Sequence, residues 1–451
     1  MKKGILFFSK TIFKINRVLG TAHFLLFFVL FSCVSTGNFS EVDRAVEQSR
    51  YNESVGILES RRALIYSPAR DSALYFLDKG LLAHYAGQHE ESSELLGLGE
   101  QAIEEAFTKS ISRGVGSFLL NDNVLEYDGE DYEDIYINVF NALNYYHRGE
   151  IEGAMVEIRR MNNKLAHLTD KYDVLMSDMQ KLALEKGGEI PANPAAPSKF
   201  SDSALARFMG MLFYRAMGLY DDARIDSEGI RVAFANAPEI YRFPVPSSVA
   251  EELNIPRGMA RVNVMAFSGL SPVKRAITMR IPIPGPRWVK ISLPELVSRP
   301  SGVERIEVIF DDGRSFVPEL LEDMDAVASD TFRNKQNYIY TKTVLRAITK
   351  AAGSAAMAVA SEKTEGTASL LLNIASLSTQ LFAEMSEQAD LRISRYFPGR
   401  AWVGGINIEP GTYSFRVDFH NRSGKVIDSQ RFTDVRIGER GLNLFEAFCL
   451  K

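Results

Sequence analysis

Residues 149–154 read GEIEGA, and the same pattern of a glycine, a large residue and a small residue occurs at two other places in the chain. Residues 87–92 read GQHEES, and residues 218–223 read GLYDDA. A glycine readily takes the left-handed conformation that ends a helix, and a small residue five positions later lets the next helix pack closely. Each copy therefore predicts a turn between two packed helices.

Residues 49–54, SRYNES, form a fourth copy in which serine replaces the glycine. The flanking residues match the core positions of a tetratricopeptide-type helix pair, at Phe76, Gly80, Ala83, Leu96, Ala142, Tyr145, Ile158 and Tyr214. Successive copies are 38, 62 and 69 residues apart, whereas an uninterrupted array repeats about every 34 residues. We predict an N-terminal α-helical, tetratricopeptide-like solenoid over residues 33–251 with insertions between pairs. An irregular helical bundle is the alternative.

One insertion, residues 150–186, is predicted to form a single long helix. Five apolar residues recur there at helical spacing without an intervening proline: Leu165, Leu168, Leu175, Met179 and Leu182. Gly187 and Gly188 end this pattern, and three prolines follow within residues 191–197. Because proline disrupts helices and central strands, we predict a solvated linker over residues 187–198.

Beyond Pro256 the pattern changes to alternating and β-branched residues, which predicts strands. The predicted strands cover residues 260–267, 303–310, 401–408, 412–419 and 426–435, separated by glycine- and proline-containing turns. We therefore predict an α+β multidomain chain in which residues 256–451 form a small antiparallel sheet or sandwich. Residues 319–392 are predicted to insert a helical hairpin, built from the runs 351–360 and 370–381. Burial of this hairpin is favoured over self-association and membrane insertion.

The amino-terminal stretch FLLFFVLFSCVST, residues 24–36, predicts an export signal. Its eight uninterrupted apolar residues would form a helix only about 12 Å long, against a hydrocarbon core of roughly 30 Å. Five basic residues and no acidic residue lie upstream. Residues 30–33, LFSC, resemble a bacterial lipobox, although Phe31 is bulkier than usual at its position. We predict a signal peptide over residues 1–32 and lipidation of Cys33, with ordinary cleavage or an uncleaved anchor as alternatives.

Charge and cysteine content narrow the class of protein further. Without the predicted signal, 47 basic residues face 57 acidic ones, and no dense basic run occurs, which argues against a nucleic-acid partner. If Cys33 carries lipid, Cys449 has no cysteine partner in the chain, so stability must come from apolar burial. The chain length predicts two or three domains with separate cores. Val34 is not the aspartate that marks inner-membrane retention, which favours the outer membrane over the inner membrane.

Five segments carry a family resemblance: SFLLNDN at residues 117–123, YDGEDYE at 127–133, ALNY at 142–145, EIRR at 157–160 and ADLR at 389–392. These segments resemble an uncharacterised family of bacterial tetratricopeptide-like lipoproteins, in patches over residues 75–411. The resemblance implies an envelope lipoprotein with repeat-type helices and a C-terminal β-containing region. The chain is similar to proteins proposed to act in envelope assembly or adhesion. The resemblance carries over no catalytic residue.

No motif for metal-dependent hydrolysis, serine nucleophiles or phosphate binding occurs in the sequence. His84 and His89 are five residues apart, a poor ligand spacing on a helix, so we predict no metal and no cofactor. The acidic residues 128–134 precede a helix predicted to start near Tyr132, where carboxylates complement the helix dipole. A basic partner and a calcium loop are the other interpretations of this acidic stretch.

The predicted function is a lipid-anchored envelope scaffold that binds a protein or peptide partner without catalysis. A surface-exposed adhesin, a cell-wall enzyme with a carboxylate-based site and a purely structural spacer are the alternatives. In the solenoid alignment, six side chains face the concave groove: His84, Tyr85, Tyr136, Tyr146, His147 and Arg215. The alternative is that Tyr85 and Tyr146 fill the seams between helices. If the six side chains line an open groove, the double variant Tyr136→Ala with Arg215→Ala should leave stability nearly unchanged and weaken partner binding.

Overall fold

The computed structural model describes residues 38–112, 120–168, 170–185, 198–283, 287–362 and 388–451. The predicted signal peptide, Cys33, residues 187–197 of the predicted linker and the apolar run 370–381 lie outside these ranges. The described chain is helical up to residue 251 and contains two mainly antiparallel sheets and one long helix after residue 260. The predicted mixture of helices and antiparallel strands is confirmed at this level.

The first half of the described chain consists mainly of helices. They are α1 Ser40–Glu47, α2 Tyr51–Ile65, α3 Ser72–Tyr85, α4 His89–Ser112, α5 Asp131–His147, α6 Ile151–His167, α7 Asp173–Glu185, α8 Ala204–Ala216, α9 Tyr220–Asn236 and the short α10 Ser248–Glu251. Helices α3 and α4, α5 and α6, and α8 and α9 pack as pairs around the three glycine turns. Gly80 shows why a small residue is needed in such a pair, since a Cβ atom there would lie 2.9 Å from the Leu96 side chain.

The predicted turns are confirmed, including the copy without glycine. Gly87, Gly149 and Gly218 have φ angles of 76°, 80° and 77°, and Ser49 has a φ angle of 57°. In each turn the amide of the next residue donates to a carbonyl five residues earlier, at Ala83, Tyr145, Tyr214 and Ala45. This hydrogen bond closes the end of the first helix. The four stretches therefore share one local geometry, which the sequence pattern identified.

The predicted single helix over residues 150–186 is wrong. Helix α6 ends at His167, and α7 begins at Asp173. In the connection, Lys171 Nζ and the Tyr172 hydroxyl bind Asp131 Oδ1 at 2.7 and 2.9 Å. These contacts turn the chain, and α7 then packs on other elements. Its apolar side joins a core formed by Tyr172, Leu175, Met179, Leu182, Ala183, Ile291, Leu293, Tyr338, Val344 and Leu345.

The strands form two sheets that share one apolar core. Their bounds are β1 Ala260–Ile283, β2 Arg287–Arg299, β3 Arg305–Phe310, β4 Ser315–Phe316, β5 Glu319–Asp323, β6 Pro398–Ile408, β7 Gly411–His420, β8 Val426–Ile437 and β9 Asn443–Cys449. One sheet has the order β2-β1-β6-β5, with β9 parallel to β1, and the other has the order β4-β3-β7-β8. The five predicted strands are confirmed, and the parallel strand β9 was not predicted.

The predicted helical insertion begins too early. Residues 319–323 form strand β5, which pairs with β6 and places Glu319 opposite Val403. Leu321 of this strand is completely buried. Helix α11 starts only at Met324 and continues to Glu362. Residues 388–397 form neither helix nor strand. Strand β1 also continues beyond the predicted residues 260–267 to Ile283 and pairs with β2 from Leu270 onward.

Residues Glu41–Lys451 form one compact unit. The predicted boundary near residue 251 is a change from helix to sheet, and the two parts are joined by buried polar contacts. The candidate functional residues lie in these contacts.

Candidate functional site

The six predicted groove residues lie on one face of the helices, and the chain's own C-terminal part covers that face. Their polar atoms contact this part as follows: His84 and His147 to Glu446, Tyr85 to the Tyr396 carbonyl, Tyr136 to Glu322, Tyr146 to the Leu442 carbonyl, and Arg215 to Asn263. We call this surface the helix–sheet junction. The six predicted residues come together at the helix–sheet junction, where they contact a later part of the same chain.

The prediction of an open groove is wrong for the four residues of this set that are buried. His84, Tyr85, Tyr136 and Arg215 are buried, and Tyr136 is completely inaccessible to solvent. Tyr146 is half-buried, and the side chain of His147 is the most accessible of the six. Aromatic and arginine side chains are typical interface anchors, and here they anchor an interface within one chain. The double variant of Tyr136 and Arg215 is therefore expected to lose stability.

The centre of the junction is the buried carboxyl group of Glu322 on β5. It accepts hydrogen bonds from the hydroxyls of Tyr136, Tyr241 and Ser203 at 2.6, 2.7 and 2.8 Å, and from the Leu205 amide at 3.2 Å. Burial raises the pKa of Glu322, and these hydrogen bonds oppose the shift. One carboxyl group thus fastens α5, α8 and the chain after α9 to the sheet.

A second buried group surrounds Glu252, directly after α10. Arg215 and Arg261 both pair with its carboxylate, the latter at 2.8 Å, and Asn263 donates to it at 2.6 Å. Arg215 also donates to Asn263 Oδ1 at 2.9 Å. A buried carboxylate with this many donors is satisfied within the fold. Arg215 is therefore a structural link between α8 and β1.

The third group brings three histidines together with Glu446 of β9. The Nε2 atoms of His84 and His147 lie 3.0 and 2.5 Å from the two Glu446 oxygens. His84 Nδ1 and His89 Nδ1 lie 2.7 and 3.1 Å from Asn144 Oδ1. The rings of His89 and His147 stack with centroids 4.3 Å apart. We call His84, His89, His147 and Glu446 the histidine cluster.

The histidine cluster borders an open pocket of about 420 Å³. Its wall also contains aromatic and apolar side chains from helices and strands: Tyr85, Tyr146, Phe432, Leu444, Phe445 and Phe448. Burial lowers the pKa of His89, and the two neighbouring imidazoles lower it further, to about 4. Burial also acts to lower the pKa of His147, but the Glu446 carboxylate outweighs it and the pKa is raised. Neighbouring rings in one cluster therefore hold protons with different affinities.

Three of the five segments that carry the family resemblance, 117–123, 127–133 and 389–392, contribute residues to a cluster of opposite charges between helices and strands. This ionic cluster consists of Asp122, Asp128, Glu130, Lys274, Lys335, Lys342, Asp390 and Arg392. Lys335 Nζ lies 2.8 Å from Asp128 and 3.2 Å from Glu130, and Lys274 Nζ lies 2.5 Å from Glu130. The residues enclose about 40 Å³, space for water rather than for an organic ligand.

The ionic cluster also fixes the extended segment before β6. Arg392 pairs with Asp390 at 2.7 Å and with Asp71 at 3.1 Å, and its guanidinium lies over the Tyr127 ring. Burial raises the pKa of Asp390, but Arg392 outweighs it and holds the pKa near 2. Lys335 likewise keeps a raised pKa despite burial, because of the Asp128 and Glu130 carboxylates. These charges neutralise one another, so the geometry indicates a structural role.

Two further carboxyl groups bind the same extended segment. Asp78 accepts from the Ser394 hydroxyl and the Arg395 amide at 2.7 and 2.8 Å, and Glu133 accepts from the Ser394 amide at 2.6 Å. Burial raises the pKa of Asp78 to about 6 and, together with the nearby Glu130 charge, that of Glu133 to about 7. The acidic stretch 128–134 therefore does more than complement a helix dipole, since it binds lysines and backbone amides of distant segments.

Sequence reasoning did not identify the partners in these clusters. Glu446 is the one charged residue of the apolar stretch 443–449, whereas Glu322 and Lys335 lie near other charged residues, and no local motif marks any of the three. The one available signal was that the family-like segments 127–133 and 389–392 are both rich in charge. Within the ionic cluster, Asp128 and Glu130 pair with Lys335, whereas Arg392 pairs with Asp390.

Comparisons with protein-family models, curated proteins and solved structures found no match for this chain. Within the described ranges, no three metal-binding side chains are arranged to hold an ion. None of the helices in the same ranges is both long and apolar enough to cross a membrane. The function is therefore argued from the geometry of the junction and of the exposed surface.

Proposed function

We propose that this chain is a lipid-anchored bacterial envelope protein that acts as a non-catalytic protein-binding scaffold, with tetratricopeptide-like helix pairs as its framework. The repeated left-handed turns and the close packing at Gly80 support the repeat interpretation. The family resemblance and the lipobox-like residues 30–33 support the envelope location, with the outer membrane favoured. The observation that carries the scaffold role is the helix–sheet junction, which fixes the helices rigidly on the sheet.

Because the junction occupies the inner face, we place partner binding on the outer side of the last helix pair. Five apolar residues are exposed at the turn and along α9: Met217, Leu219, Tyr220, Ile225 and Val232, with exposed fractions between 42% and 63%. Terminal units of repeat arrays usually present a polar outer face, and grouped exposed apolar residues mark interaction surfaces. We call these five residues the α9 surface.

The test is recovery of an envelope protein with the purified chain from solubilised envelope. The double variant Ile225→Asp with Val232→Asp should reduce recovery at an unchanged melting temperature, because both side chains are exposed. Leu64→Asp is the matched control, since Leu64 is 73% exposed on α2, away from the α9 surface. Equal recovery with the double variant and the control would refute the α9 surface as the binding site.

The anchor is tested separately. Cys33→Ser should abolish incorporation of radiolabelled fatty acid and leave an unprocessed precursor. A variant that is still processed and lipid-labelled would show that Cys33 is not the anchor.

A further inference from the structure

Strand β9 is an edge strand of the sheet that contains β1. It pairs with β1 on one side, and no other strand in the described part of the chain pairs with its opposite side. The Leu444 amide donates to the Tyr146 hydroxyl at 3.0 Å, and the Phe448 amide donates to Gln430 Oε1 at 2.9 Å. Both amides therefore point away from β1. Because main-chain groups of a strand alternate between its two sides, the Glu446 amide and carbonyl, midway between them, also point away from β1.

The main chain of Glu446 is the open position on this edge. Tyr146 and Gln430 bind the neighbouring main-chain groups, and the Tyr146 hydroxyl also lies 3.0 Å from the Leu442 carbonyl oxygen. No hydrogen bond within the described ranges joins the outward amide or carbonyl of Glu446 to a side chain or to another strand. The residue is 8% exposed and its side chain 3%, so the main chain is its more accessible part. These two groups can therefore bind a main chain from outside.

An aromatic pocket lies directly beside this position. It is the open pocket of about 420 Å³, and Glu446 itself forms part of its lining. Its wall includes rings from β8, β9 and the ends of α4 and α5: Phe432, Phe445, His89 and His147. The rings of Phe432 and Phe445 are only partly buried, and their centroids are 5.4 Å apart. When an extended peptide joins a sheet edge, its main chain supplies hydrogen bonds, and pockets beside the edge select its side chains. Glu446 and the pocket provide both parts of such a site.

The surface next to the pocket is acidic. A second depression shares Gly87 and His89 with the pocket and is lined by these charged residues: Glu90, Glu91, Glu94 and Arg148. Arg148 pairs with Glu150 at 2.8 Å. Glu91 pairs with Lys79 at 3.1 Å, whereas neither Glu90 nor Glu94 forms an ion pair with a residue that the structure describes. These carboxylates favour basic groups in whatever binds beside them.

We propose that the edge of β9 at Glu446 is a second binding site, separate from the α9 surface, which takes an extended protein segment with an aromatic residue between basic residues. The main chain of the segment accepts from the Glu446 amide and donates to the Glu446 carbonyl, as a neighbouring strand would. Its aromatic side chain enters the open pocket, and its basic side chains lie near Glu90 and Glu94. Tyr146 and Gln430 keep their bonds on either side, so the segment pairs with β9 over a short length.

Calorimetric titration of the full chain with the peptide acetyl-Lys-Val-Phe-Val-Lys-amide tests the site. Two matched peptides separate its parts. One has N-methyl groups on the phenylalanine and both valines, which removes the main-chain donors, and the other has alanine in place of phenylalanine. Each change should weaken binding at least about tenfold. Absence of binding by the first peptide, or equal binding by the N-methylated peptide, would overturn the proposal.

Hydrogen exchange locates the bound peptide without any substitution in the chain. Exchange of the Glu446 amide should slow at least about tenfold when the peptide is saturating, because that amide becomes hydrogen-bonded. Binding without this protection would place the peptide elsewhere and overturn the site. Self-association of the chain that the peptide reverses would assign the edge to a second copy and would overturn a partner segment as its occupant.

The acidic surface is tested with the double variant Glu90→Gln with Glu94→Gln. At low ionic strength it should weaken binding of the first peptide at least about threefold, because two carboxylates near the lysines are lost. Asp221→Asn with Glu228→Gln is the matched control, since it changes the net charge equally at two exposed positions of α9. Equal weakening in both variants would show that net charge alone attracts the peptide and would overturn the proposed position of its basic residues.

Discussion

The helix–sheet junction and the α9 surface are both rich in residues typical of interfaces, yet their environments are opposite. In the junction, Tyr136 and Arg215 are buried and their polar atoms bind Glu322, Glu252 and Asn263. On the α9 surface, apolar side chains are exposed between ion pairs one helical turn apart: Asp221 with Arg224 and Glu228 with Arg231. Residues typical of interfaces therefore do not show by themselves whether the rest of the same chain covers them.

This comparison predicts that substitutions of buried charges lower stability most and that substitutions of exposed groups lower it least. Lys335→Met should lower the free energy of unfolding by about 3 to 5 kcal/mol, because it removes the buried cation that pairs with Asp128 and leaves Glu130 with Lys274 alone. Urea denaturation measures this loss. Lys181→Met is the control, because its pair with Asp178 is exposed and its removal should change stability by less than about 1 kcal/mol. Similar losses in both variants would show that burial does not distinguish the two pairs.

Tyr136→Ala should lower stability by about 3 kcal/mol or more, because it removes a completely buried ring and a donor to Glu322. Tyr136→Phe should cost about 1 to 3 kcal/mol, since only the hydroxyl is lost. Tyr220→Ala on the α9 surface should stay within about 0.5 kcal/mol of the unmodified chain. Thermal unfolding followed by circular dichroism compares the three. Unchanged stability of Tyr136→Ala would contradict the burial of this side chain and favour the open groove instead.

The smallest effects concern glycines that differ only in backbone conformation. Gly149→Ala should cost about 1 to 2 kcal/mol, because φ is +80° and a Cβ there meets no other atom, so the loss is conformational. Gly97→Ala, inside α4 with equally free space, should instead stabilise the chain by about 0.5 to 1 kcal/mol. Melting temperatures of the two variants should therefore shift in opposite directions. A shift in the same direction would contradict the turn assignment.

The extent of the helix–sheet junction explains why the predicted division into domains does not describe separate bodies. Asp78, Glu133 and Glu322 each bind groups far away in the chain, such as Ser394 and Tyr136. Such contacts carry no local periodicity. A change of composition near residue 256 correctly indicated a change from helix to sheet, but composition does not report how much surface the two parts bury against each other.

The sequence by itself determined features that depend on neighbouring residues. Turns at positions 49, 87, 149 and 218 follow from local backbone preferences, and five strands follow from alternation and turn residues. The same reasoning predicted one helix where α6 and α7 are separate, because the apolar periodicity continues through the break. In the structure, Asp131 binds Lys171 and Tyr172, about forty residues later in the chain. Local pattern fixed the elements, and distant side chains fixed where two of them end.

Only the tertiary structure decided what the predicted site residues do. Six predicted groove residues all lie at the helix–sheet junction, and most of their partners are more than a hundred residues away in the chain: His84, Tyr85, Tyr136, Tyr146, His147 and Arg215. Pairing of charges and hydroxyls across such distances depends on how the chain returns on itself. The physical reason is that burial makes an unpaired polar group costly, so the fold selects the partner that packing brings within hydrogen-bond distance.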